Sequence, residues 1–162
     1  MLAATLLVMN LLGQAHVAKA KVTTHHYRVR EWRVIVRNDA FSGTPSCTIK
    51  APRIAYRRQT LIFHVGGADT THAFFRVDNG APARSVREAF TEDEARGFFP
   101  ERGWIVDPNG GEVALPASYL TSAKRIYIRV SLKSHPRAFD VSRFPEALSR
   151  ARAAGCTDKT ID

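Results

Sequence analysis

Cys47 and Cys156 are the only cysteines in this 162-residue chain, and 109 positions separate them. A disulfide between them would tie the C-terminal segment to the early part of the chain, and it would stabilise the fold by roughly 4–5 kcal/mol in the chain-entropy model. The alternative is two unpaired, buried thiols. The chain contains no Cys-x-x-Cys motif, which argues against a redox role. The sequence therefore predicts one long-range disulfide.

The N-terminal segment has the layout of a secretory signal peptide. Residues 2–12 are apolar except for Thr5 and Asn10, and Ala18-Lys19-Ala20 places small residues where a cut after Ala20 requires them. The apolar run is shorter than the roughly 20 residues that span a bilayer. No Lys or Arg precedes it, so a buried N-terminal helix is the alternative. We expect residues 1–20 to be removed and the mature chain, with no transmembrane segment, to be periplasmic or secreted, where disulfides persist.

The rest of the chain is long enough to bury the core of one domain. Residues 21–31 are polar and basic and are expected to form a loose arm. Residues 32–158 are expected to form a single β-rich domain, followed by a tail at 159–162.

Four segments have the alternating or β-branched composition of strands, namely residues 32–37, 47–50, 60–65 and 125–132. The glycine-containing loop at 66–71 predicts a hairpin in which residues 72–77 return beside residues 60–65. The turn Asp78-Asn79-Gly80 then predicts that residues 83–89 pair back, because Asn and Gly tolerate the positive φ of tight hairpin turns.

Two segments carry helix signals. Thr91-Glu92-Asp93-Glu94 has the spacing of a capping box and predicts a short helix over residues 92–98. Near the C-terminus, Ser142 is a candidate N-cap, an apolar stripe begins at Phe144, and Gly155 is placed as a left-handed C-cap. The predicted fold is therefore mainly β (α+β): an antiparallel sheet, sandwich or partial barrel with a short internal helix and a C-terminal helix.

The order of several short motifs resembles a known family. The motifs are Trp32-x-Val-x-Val36, the early Cys47, Phe75-Arg-Val-Asp-Asn-Gly80, Ile126-x-Ile-x-Val130, Phe144-Pro-Glu-Ala-Leu148 and Gly155-Cys156. This order is similar to that of the invasion-associated locus B-like periplasmic β-proteins and related proteobacterial exports. The chain departs from that pattern in having no cysteine in the middle of the domain. The resemblance implies a fold and a compartment, and it implies no reaction.

The best candidate for chemistry is a set of two histidines and one carboxylate. If the predicted hairpin centres on Ala68, His64 faces His72 across it and Asp69 lies in the loop. Imidazole and carboxylate ligands suit Zn, Cu or Ni. The alternative is a cross-strand histidine pair that binds nothing. The chain contains no Gly-x-Ser-x-Gly elbow, and no glycine-rich loop opens a helix after a strand.

The net charge is strongly positive, with 24 Lys and Arg against 15 Asp and Glu. Basic proteins bind nucleic acid, anionic membranes or acidic polysaccharides. The 18 arginines are scattered, however, which argues against nucleic acid, and codon usage in a GC-rich genome is an alternative origin of the charge. The candidate residues for binding an anionic surface are Arg57, Arg58, Arg125 and Arg129.

These observations favour an exported binding or envelope-associated module that is not an enzyme and uses no cofactor. Its expected partner is an envelope protein or an acidic polysaccharide or lipid surface. The alternative is a small metal-dependent hydrolase that uses the hairpin histidines.

Overall fold

The computed structural model of the protein describes residues 21–67, 69–79, 83–89 and 110–162. Within these residues the fold is mainly β, with two antiparallel sheets and a helix near the C-terminus, which confirms the predicted fold class. The predicted signal peptide at 1–20 and the predicted internal helix at 92–98 lie outside the described residues.

The larger sheet contains six strands in the spatial order β1-β2-β3-β4-β5-β8, each antiparallel to its neighbours. Its strands are β1 (Val22–Val29), β2 (Trp32–Asp39), β3 (Pro45–Ala51), β4 (Ile54–Arg57), β5 (Thr60–His64) and β8 (Glu112–Pro116). The first five strands follow one another in sequence and in space, so this part of the sheet is a simple meander. The predicted strands at 32–37, 47–50 and 60–65 all lie within it.

The smaller sheet has the spatial order β10-β9-β6-β7. Its strands are β6 (Phe74–Val77), β7 (Arg84–Ser85), β9 (Arg125–Arg129) and β10 (Arg137–Asp140), and helix α1 (Phe144–Ala153) follows the last of them. The predicted strand at 125–132 is confirmed as β9, whose Ile126 and Ile128 are buried. The pairing predicted for residues 83–89 is confirmed only for Arg84 and Ser85, which pair with Phe75 and Phe74, whereas Val86–Ala89 forms a 3-10 helix.

One cluster of buried apolar side chains joins both sheets to α1. The Phe144 ring, at the start of α1, lies with its centroid 5.3 Å from that of Trp32 on β2 and 5.1 Å from that of Tyr56 on β4. The Phe63 ring on β5 lies 5.1 Å from the Phe139 ring on β10. Because these contacts connect the larger sheet to both α1 and the smaller sheet, its inner face is covered.

The expected loose arm at 21–31 is wrong, because most of it forms β1. All eight residues of β1 pair with β2, from Val22 opposite Asp39 to Val29 opposite Trp32. Tyr27 and Val29 pack against the core, whereas most of the strand is exposed. An edge strand that buries so little does not need apolar alternation, so its polar sequence is compatible with a strand.

The expected hairpin between residues 60–65 and 72–77 is also wrong. β5 pairs with β4 on one side and β8 on the other, whereas β6 pairs with β9 and β7 in the other sheet. Gly66 and Gly67 therefore lie on the route between sheets. A Cβ atom at Gly111 would overlap the Gly66 carbonyl oxygen, so the chain needs glycine for this close approach.

The disulfide between Cys47 and Cys156 is present. The expected tail at 159–162 is not loose, because Ile161 is buried and forms a parallel bridge with Cys47. Gly155 has a φ of +89°, as expected for a left-handed residue after a helix. Ser142 does not cap α1; its hydroxyl donates to the Asp140 carboxylate instead, and Arg143 occupies the N-cap position.

Candidate functional site: a basic face on the larger sheet

The predicted metal ligands are not assembled in the way that the sequence suggested. His64 is the last residue of β5 and pairs with Glu112 of β8, whereas His72 lies in the turn before β6. The Asp69 carboxylate accepts hydrogen bonds from the backbone and hydroxyl of Thr71. Within the described ranges no group of three or more His, Cys, Asp or Glu side chains could hold a metal ion. The hydrolase alternative therefore loses the hairpin on which it depended.

The four predicted anion-binding arginines belong to different sheets. Arg57 and Arg58 lie where β4 turns into β5, and Arg58 has a positive φ in that turn. Arg125 and Arg129 lie on β9 of the smaller sheet, where a guanidinium nitrogen of Arg129 donates to the Leu132 carbonyl. The structure therefore does not gather the four into one continuous row.

A different set of cations does form a continuous surface. Arg28 of β1 lies directly opposite Arg33 of β2, and Arg33 lies directly opposite Lys50 of β3. Side chains at directly opposite positions point to the same face, with Cβ atoms about 5 Å apart. Arg37 of β2 and Arg57 of β4 extend outward on the same face. We call this set the basic face, and its members are Arg28, Arg33, Arg37, Lys50 and Arg57.

The strand alternation explains why these cations point outward. In β2 the side chains of Trp32, Val34 and Val36 are buried, so Arg33 and Arg37 must lie on the opposite side. All five side chains of the basic face are exposed. The outer side of β1 to β4 is therefore open to solvent, whereas α1 and the smaller sheet cover the inner side.

The charge pattern on this face is unbalanced. Like charges at directly opposite positions destabilise a sheet, and two such pairs, Arg28–Arg33 and Arg33–Lys50, share one row. None of the five cations forms an ion pair with any described residue. The one acid on the outer side of β1 to β4 is Asp39 at the end of β2, where its carboxylate accepts the Phe41 backbone N–H at 2.9 Å. With respect to the residues that the structure describes, the row is thus a strip of positive charge without acidic partners.

The sheet beneath the basic face is firmly supported. Tyr56, on the inner side of β4, is only 2% exposed, and its hydroxyl donates to Asp158 at 3.3 Å. Burial, and secondly the Asp158 charge, raises the pKa of Tyr56 to about 12. The disulfide adds a covalent link from β3 to the segment after α1. The cations therefore project from strands whose positions are fixed.

An open groove at one end of the sheets has no comparable charge preference. Its volume is about 520 Å³, and it lies between the β3–β4 turn and β10. Its lining includes two acids, Glu31 and Asp140, and two arginines, Arg53 and Arg137. Hydrogen bonds from Ser142, together with the charges of Arg125 and Arg30, hold the pKa of Asp140 below its ordinary value. Because acidic and basic side chains are equal in number in its lining, the groove has no preference for anionic over cationic ligands.

Sequence reasoning identified only Arg57 among the members of the basic face. The alternation within residues 32–37 puts Arg33 and Arg37 on the face of the strand that points away from Trp32. That pattern could have identified these two arginines as outward-pointing cations. Arg28 was assigned to a loose arm, and the register that aligns it with Arg33 and Lys50 is a property of strand pairing.

Comparison of the chain with protein-family models, curated proteins and solved structures finds no match. Among the described residues, none of the helices combines the length and hydropathy needed to cross a bilayer.

Proposed function

We propose that the protein is an exported binding module that docks on a polyanionic envelope surface through its basic face. The observation that carries the proposal is the row Arg28–Arg33–Lys50, three cations at directly opposite positions on neighbouring strands. Such a row destabilises the free protein slightly and becomes favourable when an anion lies across it. The uncovered outer side of β1 to β4 leaves room for an extended ligand.

The disulfide supports the export part of the proposal, since disulfides persist in oxidising compartments. The apolar segment at residues 2–12 supports it independently. The resemblance to invasion-associated locus B-like proteins points to the same compartment and stays a prediction.

The strength of the interaction follows from its electrostatics. Each Lys or Arg close to an anionic surface contributes about 1 kcal/mol at moderate ionic strength. Five exposed cations would therefore bind an anionic surface measurably at low salt. Binding should be much weaker at high salt, where the screening length shortens to a few Å.

Retention on immobilised dextran sulfate tests the proposal. We expect the oxidised mature chain, residues 21–162, to bind at low salt and to elute as salt rises. The double variant Arg33→Gln/Lys50→Gln should bind about thirtyfold more weakly, because two contributions of about 1 kcal/mol are lost. The matched control is Lys124→Gln/Lys133→Gln, which removes the same charge from exposed positions outside the larger sheet.

Equal weakening by the two double variants would show that net charge alone causes binding, and it would overturn the proposal. Absence of retention of the wild-type chain at low salt would overturn it as well. Weakening confined to the Arg33 and Lys50 variant would support it.

A further inference from the structure

We propose that the polyanionic surface is an anionic lipid bilayer and that Phe41 inserts between its headgroups. This inference rests on the proposed function and names its ligand. It starts from an exposed aromatic side chain, which a dissolved polysaccharide would leave in water and a bilayer would bury.

Phe41 lies in the turn between β2 and β3 and is 89% exposed, the highest value among the large apolar side chains of the described residues. Several hydrogen bonds hold this turn together. The Asp39 carboxylate accepts the Phe41 backbone N–H, and the Asp39 carbonyl accepts the Gly43 N–H at 3.1 Å. The Ser42 hydroxyl lies within hydrogen-bonding distance of the Asp39 and Thr44 carbonyls. The phenyl ring is therefore presented to solvent by a defined turn.

A second apolar side chain and a cation lie at the same end of the sheet. Val22, the first residue of β1, is 44% exposed and pairs with Asp39. The Ala40 N–H donates to the Lys21 carbonyl at 3.3 Å, which holds the start of β1 beside the turn. Phe41 and Val22 therefore lie at the same end of the larger sheet as Lys21, and we call these two exposed apolar residues the apolar tip.

The apolar tip lies at the end of β2 that carries Arg37 of the basic face. Arg37 lies two positions before Asp39 on the outer side of β2, and Arg33 lies four positions before Arg37. At about 3.3 Å per residue, Arg37 is within about 13 Å of Phe41 along the chain. Proteins that bind at a membrane interface combine apolar side chains at the acyl boundary with cations at the headgroups. Among the described residues, Asp39 is the one acid at this end of β2, and its carboxylate is held in the turn by the Phe41 N–H that it accepts.

Vesicle co-sedimentation tests the inference. The probes are vesicles of phosphatidylcholine alone and vesicles of equal parts phosphatidylcholine and phosphatidylglycerol. We expect wild type to bind only the anionic vesicles, and Phe41→Ser to bind them about tenfold more weakly. The control is Leu132→Ser, since Leu132 is 70% exposed and lies outside the larger sheet; it should bind like wild type.

The variants separate the two proposals. Phe41→Ser should retain full binding to dextran sulfate, because its basic face is intact. If Phe41→Ser binds anionic vesicles as tightly as wild type while dextran sulfate retention still depends on Arg33 and Lys50, the bilayer inference is wrong and the proposed function stands. If wild type binds neither anionic vesicles nor dextran sulfate, both are wrong. Equal loss in the Phe41 and Leu132 variants would also overturn the inference.

Discussion

Cys47 and Cys156 join the middle of the larger sheet to the segment that follows α1, with their Cα atoms 6.1 Å apart. The main chain of Cys47 makes a second connection to the same segment. Its N–H donates to the Thr160 carbonyl at 2.8 Å, and its carbonyl accepts the Asp162 N–H at 2.9 Å. The C-terminal segment is therefore fixed to β3 by one covalent bond and by backbone pairing on either side of Ile161.

Loss of the disulfide is expected to lower stability substantially. The double variant Cys47→Ala/Cys156→Ala should lose about 4 kcal/mol of unfolding free energy, because the unfolded chain regains the entropy of a loop of 109 residues. Urea denaturation measures this loss. A reducing agent should lower the stability of wild type by a similar amount and leave the double variant unchanged. A wild type that is equally stable when reduced would contradict the prediction.

Ile161 should contribute to the core despite its position near the last residue. Its side chain is only 1% exposed. We expect Ile161→Ala to lower the unfolding free energy by about 2–4 kcal/mol, the usual effect of removing a buried aliphatic side chain. Lys159, which is exposed and lies two positions earlier, gives the control, since Lys159→Ala should change stability by less than about 0.5 kcal/mol. Similar small effects of both substitutions would show that the segment is a tail after all.

The carboxylate of Asp140 should make stability depend on pH in the acid range. Its pKa is lowered mainly by hydrogen bonds from the Ser142 hydroxyl and backbone N–H. A lowered pKa means that the stabilisation is fully present above the ordinary pKa of an aspartate and is lost as the pH falls through the folded-state value. Asp140→Asn should therefore be less stable than wild type at neutral pH, by about 1 kcal/mol or less for so exposed a group.

The difference between wild type and Asp140→Asn should shrink when urea denaturation is repeated at about pH 3 or below. Asparagine retains an oxygen that accepts the Ser142 hydrogen bonds, so the comparison isolates the charge. A difference that stays constant between neutral and acid pH would refute the assignment.

Much of the fold could be predicted because burial imposes a period of two on a strand. The β-branched residues of the segment 32–37 predicted β2, and the alternation of Ile126, Ile128 and Val130 with charged side chains predicted β9. A strand with no deeply buried face shows no alternation of apolar and polar residues, and β1 was therefore not predicted. The four-residue strands β4 and β10 are too short to show a period of their own.

Pairing partners could not be predicted from local patterns. The loop at Gly66 and Gly67 has the composition of a hairpin turn, yet it leads from one sheet to the other because β4 and β8 already occupy both sides of β5. The expected pairing of His64 with His72 failed for this reason. The basic face was hidden by the same difficulty, since the row from Arg28 to Lys50 exists only in the register of three strands.

The separation of 109 positions between the two cysteines also sets a time interval. At roughly 5–20 residues per second, a ribosome takes roughly 5–20 seconds to add Cys156 after Cys47. The strands of the meander from β1 to β5 pair with their neighbours in sequence, so they are synthesised well before Cys156. During this interval the thiol of Cys47 has no second cysteine in its own chain. A disulfide formed before Cys156 is added would therefore join Cys47 to another molecule.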